Sequence, residues 1–397
     1  MDPSARKTFN DNFTAEKYRQ FLSSLNSGLK KPIEFRVAET PVFLTDDFRD
    51  KLLAAGQDIM NVILQPDFKQ LTERAIPEKW KVANENDHPH FIALDFGVCR
   101  DESGDIVPKL IELQGFPSLY GFQVHLGETY QSTFGIADDW TIFFNYLTKN
   151  QYLNLLKETI VGAHHPEEVV LMDVNAHEQK TVVDFEITHQ YLGIPVVALD
   201  ELIEQNGKLY YESRGTYKPI KRIYNRLIFD EIESDPDIFS KAADVRKPLD
   251  VEWITHPNWF YRISKFTMPF LKGEYVPKTV FLSELRTVPD DLKNFVLKPL
   301  FSFAGQGVII DVNRGDINSI KDPENWILQE KVNYEPILQS PGGGVKIEIR
   351  LLYLWPDGDA KPTLAINLAR LSKGKMIGVR YNKDFDWVGG TVAFMRK

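Results

Sequence analysis

The stretch Phe295-Val-Leu-Lys-Pro-Leu-Phe-Ser-Phe-Ala-Gly-Gln-Gly-Val308 decides how the rest of the chain is read. A short apolar strand carries Lys298 near its end, a loop carries Gly305, Gln306 and Gly307, and a second strand follows. Glycines let a loop backbone approach an anion closely and turn its N–H groups toward it. Lys298 adds positive charge at the same place. The arrangement suits a polyphosphate, although it is neither G-x-x-x-x-G-K-[ST] nor G-x-G-x-x-G. From these residues alone, a tight hairpin with an ordinary exposed lysine reads equally well.

The surroundings of this loop are strand-rich. Apolar runs at 294–300, 307–312, 326–332, 345–355, 363–371 and 376–381 predict strands, with a turn at Pro356-Asp-Gly-Asp359. Upstream, the run 168–174, an amphipathic stretch over 177–192 ending at Gly193, and the run 194–199 predict a parallel βαβ unit. Asn206-Gly207 marks a hairpin. Nearer the start, Thr45 reads as an N-cap, with Phe48, Leu52, Leu53, Ile59, Met60 and Ile63 at helical spacing behind it. The strand-like run 90–98, the turn Asp101-Glu-Ser-Gly-Asp105 and the run 107–113 predict a β-hairpin. Helical periodicity resumes over 128–147 and continues to about 161, while residues 1–40 give only weak signals.

The expected class is α/β, in three parts: a helical N-terminal region 1–161 carrying a hairpin near 90–120, a βαβ domain 162–262, and a strand-rich domain 263–397. A chain of 397 residues is long enough for two or three domains at about 150 residues each. The charge balance of 47 basic against 56 acidic residues argues against binding a nucleic-acid backbone, which needs a basic surface excess. With one cysteine, Cys99, no intramolecular disulfide forms, and no zinc-ligand spacing exists. No apolar stretch approaches the roughly 20 residues of a membrane span, and the first residues lack a signal-peptide pattern. A cytoplasmic location without membrane attachment is therefore expected; the sequence leaves the oligomeric state open.

The order of motifs resembles the ATP-grasp superfamily. Trp326-Ile-Leu-Gln-Glu-Lys-Val332 follows the glycine loop as a hinge segment would, and Arg262-Ile-Ser-Lys265 supplies a second lysine upstream. The segments Lys346-Ile-Glu-Ile-Arg350, Asn367-Leu-Ala-Arg370 and Tyr381-Asn382 with Gly389-Gly390 resemble the arginine strands and following loop of glutathione synthetase. No acidic pair follows those strands. One stands upstream instead: Ala93-Leu-Asp95, then Lys109-Leu-Ile-Glu112-Leu-Gln114, resembles an Asp…Glu-x-Asn metal hairpin. That displaced order is similar to the circularly permuted ATP-grasp proteins related to glutathionylspermidine synthase, and 207–226 looks like their pre-ATP-grasp domain. Two positions depart from the pattern: Gln114 stands where the family has Asn, and Ala93 where the permuted relatives have Arg.

The resemblance implies ATP and Mg²⁺ as cofactors. Lys265, Lys298, Gly305, Gln306 and Gly307 would hold phosphates, and Glu330, Lys331 and Val332 would edge the adenine. It assigns Asp95, Glu112 and Gln114 to the metal; hard Mg²⁺ prefers such oxygen ligands. On one strand Glu112 and Gln114 share a face, and Asp95 faces them across the hairpin. Three polar residues on a solvated β-face is the plainer reading; the apolar Leu110, Ile111 and Leu113 around them favour the metal. Arg350, Arg370 and Asn382 are the candidate catalytic residues. The implied activity is an ATP-dependent carboxylate–amine ligase using small-molecule acid and amine substrates. The alternatives are a phosphotransferase of the same fold, or a nucleotide-binding protein without turnover. His88, His90, His164 and His165 read as structural, and Cys99 as a buried, inert thiol.

Overall fold

The computed structural model describes residues 1–229, 232, 238–301, 306–374, 377, 382 and 384–397. Gly305 and the run 376–381, apart from residue 377, lie outside the described residues.

The main sheet is built from residues far apart in sequence. Its order is Gly389–Thr391, Thr363–Ser372, Gly343–Leu354, Phe91–Arg100, Ile106–Gln114, all antiparallel, with Leu338–Ser340 pairing beside Gly343–Leu354. The hairpin expected near 90–120 is thus a pair of strands in the sheet formed by the last third of the chain. Asp101 closes its turn: Oδ1 accepts from the N–H groups of Ser103 at 3.0 Å and Asp105 at 2.8 Å. Alternation sorts this sheet into two faces. One carries Leu94, Phe96, Ile349, Leu351 and Ala369, which join the core with the helix Asp46–Ile63. That helix starts where Thr45 caps it, and its Gly56 lies against Leu351 and Tyr353. The other face carries Asp95, Glu348, Arg350 and Arg370.

A parallel sheet has the order Glu252–Ile254, Arg222–Asn225, Val169–Asp173, Val196–Ala198. The helix Val182–Leu192 makes the crossover between its last two strands, ending at Gly193 with φ +73°. It begins five residues later than its periodicity suggests. A smaller antiparallel sheet, ordered Thr279–Phe281, Trp326–Glu330, Phe295–Pro299, Ile309–Ile310, carries Lys298 opposite Ile327. The strand after the glycine loop keeps only two of the residues expected over 307–312.

Two readings need correction. The periodicity over 128–161 is not one helix: Tyr120–Phe134 ends at Gly135 in the left-handed region, and Lys149–Val161 starts afresh under a Thr148 capping box. Between them Trp140–Thr141 pairs with Ala393–Arg396, so sheet pairing overrides the helical pattern. The first 40 residues hold two helices, Pro3–Asn12 and Ala15–Asn26, capped by Asp2 and Thr14. They bury only Phe9, Phe21 and Leu25, which is too few apolar positions to show as a pattern. No helix among the described residues is long and apolar enough to cross a membrane.

Candidate functional site

Strand register assembles the site. Arg350 stands opposite Asp95, and Asp95 opposite Glu112 on its other side. Glu348, two residues from Arg350, stands opposite Arg370. Cross-strand neighbours lie about 5 Å apart, so these groups meet on one face. Arg350 Nε and Nη2 donate to Asp95 Oδ1 and Oδ2 at 2.5 and 2.6 Å, and Arg370 Nη2 donates to Oδ2 at 3.0 Å. Arg370 also pairs with Glu348, whose other oxygen accepts from the Tyr334 hydroxyl at 2.7 Å. Gln114 donates from Nε2 to Glu112 Oε1 at 2.9 Å. Burial works to raise the pKa of Asp95, but Arg350 and Arg370 outweigh it and hold it below the usual value. For Glu348 burial wins and the pKa is raised.

Glu348 and Tyr334 were not singled out by the sequence reading. Glu348 sits inside the quoted Lys346–Arg350 motif, and strand alternation places it on the face of Arg350. Tyr334 lies against Gly97, where a Cβ would come within 2.8 Å of its ring.

Two lysines lie near this cluster. Lys298 Nζ donates to the Ile111 carbonyl at 3.1 Å, next to Glu112. Lys265 is buried at the start of the short helix Lys265–Phe270, which packs on the strand Ile106–Gln114. Burial first, and then the nearby charge of Lys265, push the Lys298 pKa down to about 8. Among the described residues Lys298 has no carboxylate within ion-pair distance. Two desolvated cations side by side fit an anion such as a phosphate group.

Glu330, Lys331 and Val332 line a cleft of about 390 Å³ together with Cys99, Arg100 and Lys109 of the hairpin. Lys331 is anchored by Asp311 at 2.9 Å, and its N–H donates to the Asn294 carbonyl at 2.7 Å. The Glu330 carboxylate accepts from Lys278 N at 3.1 Å. Gln306 and Gly307 form the exposed turn before Ile309, with Gly307 at φ +70°. Asn382 is buried and held against the end of the strand Thr363–Ser372: its Oδ1 accepts from Ser372 Oγ, Lys373 N and Gly374 N, each at 3.0 Å.

Beyond the other end of the same strand sits Arg226. It is buried at 4% exposure, and its Nε and Nη1 have no hydrogen-bond partner. The guanidinium stacks over the rings of Phe116 at 4.8 Å and Phe185 at 5.3 Å. The buried carboxylate of Asp184 feels the Arg226 charge but is spent on the N–H groups of Leu119, Gly121 and Phe122. A buried guanidinium with unsatisfied donors matches a carboxylate or phosphate ligand.

The donor set does not fit a metal ion as it stands. Both oxygens of Asp95 are held by arginines, and the Gln114 amide turns its donor to Glu112. Among the described residues no group of three or more His, Cys, Asp or Glu side chains is arranged to hold a metal. The histidines are structural here: His88 stacks on Trp355 at 4.2 Å, His90 pairs with Asp357 at 2.9 Å, and His164 with Glu252 at 3.1 Å. Burial pushes the Cys99 thiol up to about 12, so it is no nucleophile at neutral pH.

The sequence matches no family profile and no curated protein. Among solved structures, a glutathione synthetase-like effector from Globodera pallida, in its apo form, is similar in fold. The two superpose with a TM-score of 0.59, covering 96% of each chain at 12% identity. At that identity the likeness is one of fold alone.

Proposed function

We propose that this chain is an ATP-grasp protein of the circularly permuted type, acting as an ATP-dependent carboxylate–amine ligase. One observation carries the reading: the strand Ile106–Gln114 works as a ruler. The cleft at Glu330–Val332 meets it at Lys109, Lys298 meets it at Ile111, and the unsatisfied Arg226 lies just beyond its end at Phe116. At about 3.3 Å per residue, the strand from Lys109 to its end at Gln114 spans roughly 17 Å, and Phe116 follows two residues on. Base, phosphates and acid substrate would then lie in line, in the order an acyl-phosphate reaction needs.

In this reading the base lies against Glu330, Lys331 and Val332. Lys298 and Lys265 hold the phosphates, with the Gln306–Gly307 turn above. Arg226 fixes a carboxylate of the acid substrate by charge-assisted hydrogen bonds. Arg370, whose Nε has no partner, and Arg350 offset the charge that builds as two anions meet. Asp95 and Glu348 keep those two guanidinium groups aimed. The hairpin's place beside the strands 343–372 supports the permuted order, with 162–262 as the pre-ATP-grasp part and 263–397 as the nucleotide part. Mg²⁺ enters no step, because Asp95, Glu112 and Gln114 are not arranged to take it.

The pairing of Asp95 with two arginines also favours a second reading, nucleotide binding without turnover. ADP release in the presence of mixed carboxylic acids and amines separates the two. A ligase releases ADP only with both substrates and yields an amide by mass; a phosphotransferase releases it with one. Binding of an ATP analogue without ADP release supports the second reading. Absence of any nucleotide binding removes both.

A further inference from the structure

A second cleft, of about 360 Å³, lies between the N-terminal helix Pro3–Asn12, the end of the strand Leu338–Ser340 with Pro341, and Trp387. Arg6 is its chemical centre. The guanidinium lies over the rings of Phe9 at 5.9 Å and Trp387 at 5.8 Å. One terminal nitrogen donates to Thr40 Oγ1 and the other, weakly, to the Gln339 carbonyl at 3.4 Å. Its Nε is buried without a partner, and among the described residues no carboxylate forms an ion pair with Arg6. Glu39, the acid beside Thr40, is already held by Arg36 and by the Trp387 N–H at 2.8 Å. Burial alone lowers the Arg6 pKa to about 10. A partly desolvated cation held against rings, with an unused donor, is incomplete without an anion.

The apolar wall is equally specific. Phe13 and Trp387 meet at 4.7 Å between centroids, tilted by 50°. Asn10 and Ser340 add polar groups at the rim. We propose that this cleft binds a small carboxylate with a flat apolar body. The carboxylate accepts from Arg6 Nη2, the exposed nitrogen that holds only the long bond to Gln339, and the apolar body lies against Phe13 and Trp387. The site stands independently of the nucleotide reading. Trp387 lies two residues before the strand Gly389–Thr391, which pairs with Arg370, so an occupant touches the segment leading into the arginine strand.

The test uses the full chain and three probes of one size: phenylacetate, benzyl alcohol and benzylamine, followed by calorimetry and tryptophan fluorescence. Phenylacetate is expected to bind saturably and change the fluorescence, with the alcohol and the amine at least tenfold weaker. The fluorescence change is expected to vanish in Trp387→Phe and to persist in Arg226→Met. Arg6→Met, checked for folding by circular dichroism, weakens phenylacetate at least tenfold. Should that variant unfold, the three-probe comparison on the unaltered chain decides. Equal affinity for all three probes overturns the site. So does a phenylacetate response lost in Arg226→Met but kept in Arg6→Met.

Discussion

Arg350 grips Asp95 through both carboxylate oxygens, joining two strands whose sequence positions differ by 255 residues. Both side chains are almost wholly shielded from water, and Arg370 adds a third bond. Removing one partner of a buried pair leaves an uncompensated charge. Asp95→Asn is therefore expected to destabilise the fold by about 3–5 kcal/mol. Urea denaturation at pH 7 measures it. The sign with pH follows from the depressed pKa. The contribution of Asp95 is complete above the ordinary carboxylate value of 3.8 and is lost as pH falls through the lower folded value. The gap between the two proteins narrows in acid.

Glu348→Gln is expected to behave differently. Its pKa is raised in the fold, so the charged form is already disfavoured above the ordinary value of 4.5. Glutamine mimics the protonated group, keeps an acceptor for Tyr334, and leaves Arg370 its bond to Asp95. The variant should lie within about 1 kcal/mol of the parent at pH 7. A loss as large as that of Asp95→Asn would show that Glu348 is needed as an anion.

Lys298 has a folded pKa of about 8 against an ordinary 10.5. Between those values the unfolded chain keeps a proton that the fold releases, so the destabilisation is complete below pH 8 and is relieved toward pH 10.5. Lys298→Met should melt higher than the parent at pH 7, with the difference closing by pH 10.5. Its ATP affinity should fall about 10- to 100-fold, the worth of one or two charge-assisted bonds. Scanning calorimetry and a nucleotide titration read the two effects separately.

Arg226→Met is expected to leave the melting temperature unchanged or higher, because the side chain it removes has two buried donors without partners. If Arg226 holds the acid substrate, the apparent KM for that acid rises about 10- to 100-fold while nucleotide affinity stays the same. A parallel loss of nucleotide affinity would move Arg226 out of the substrate role.

The local signals were sufficient for elements whose physics is local. Thr45 caps its helix, the 91–114 hairpin folds around Asp101, and the helix Val182–Leu192 ends at Gly193, because caps, turns and alternation act over a few residues. The resemblance of their motifs to a known family singled out Lys298, Asp95, Arg350 and Arg370 as candidates. What those side chains do to one another was decided only by tertiary structure. Register sets Arg350 against Asp95 and Arg370 against Glu348, which turns a candidate metal ligand into the anchor of two arginines. Burial decides the rest. Neither the depressed lysine nor the unsatisfied nitrogens of Arg226 and Arg6 carry any local signature, since desolvation depends on what distant segments pack around a charge.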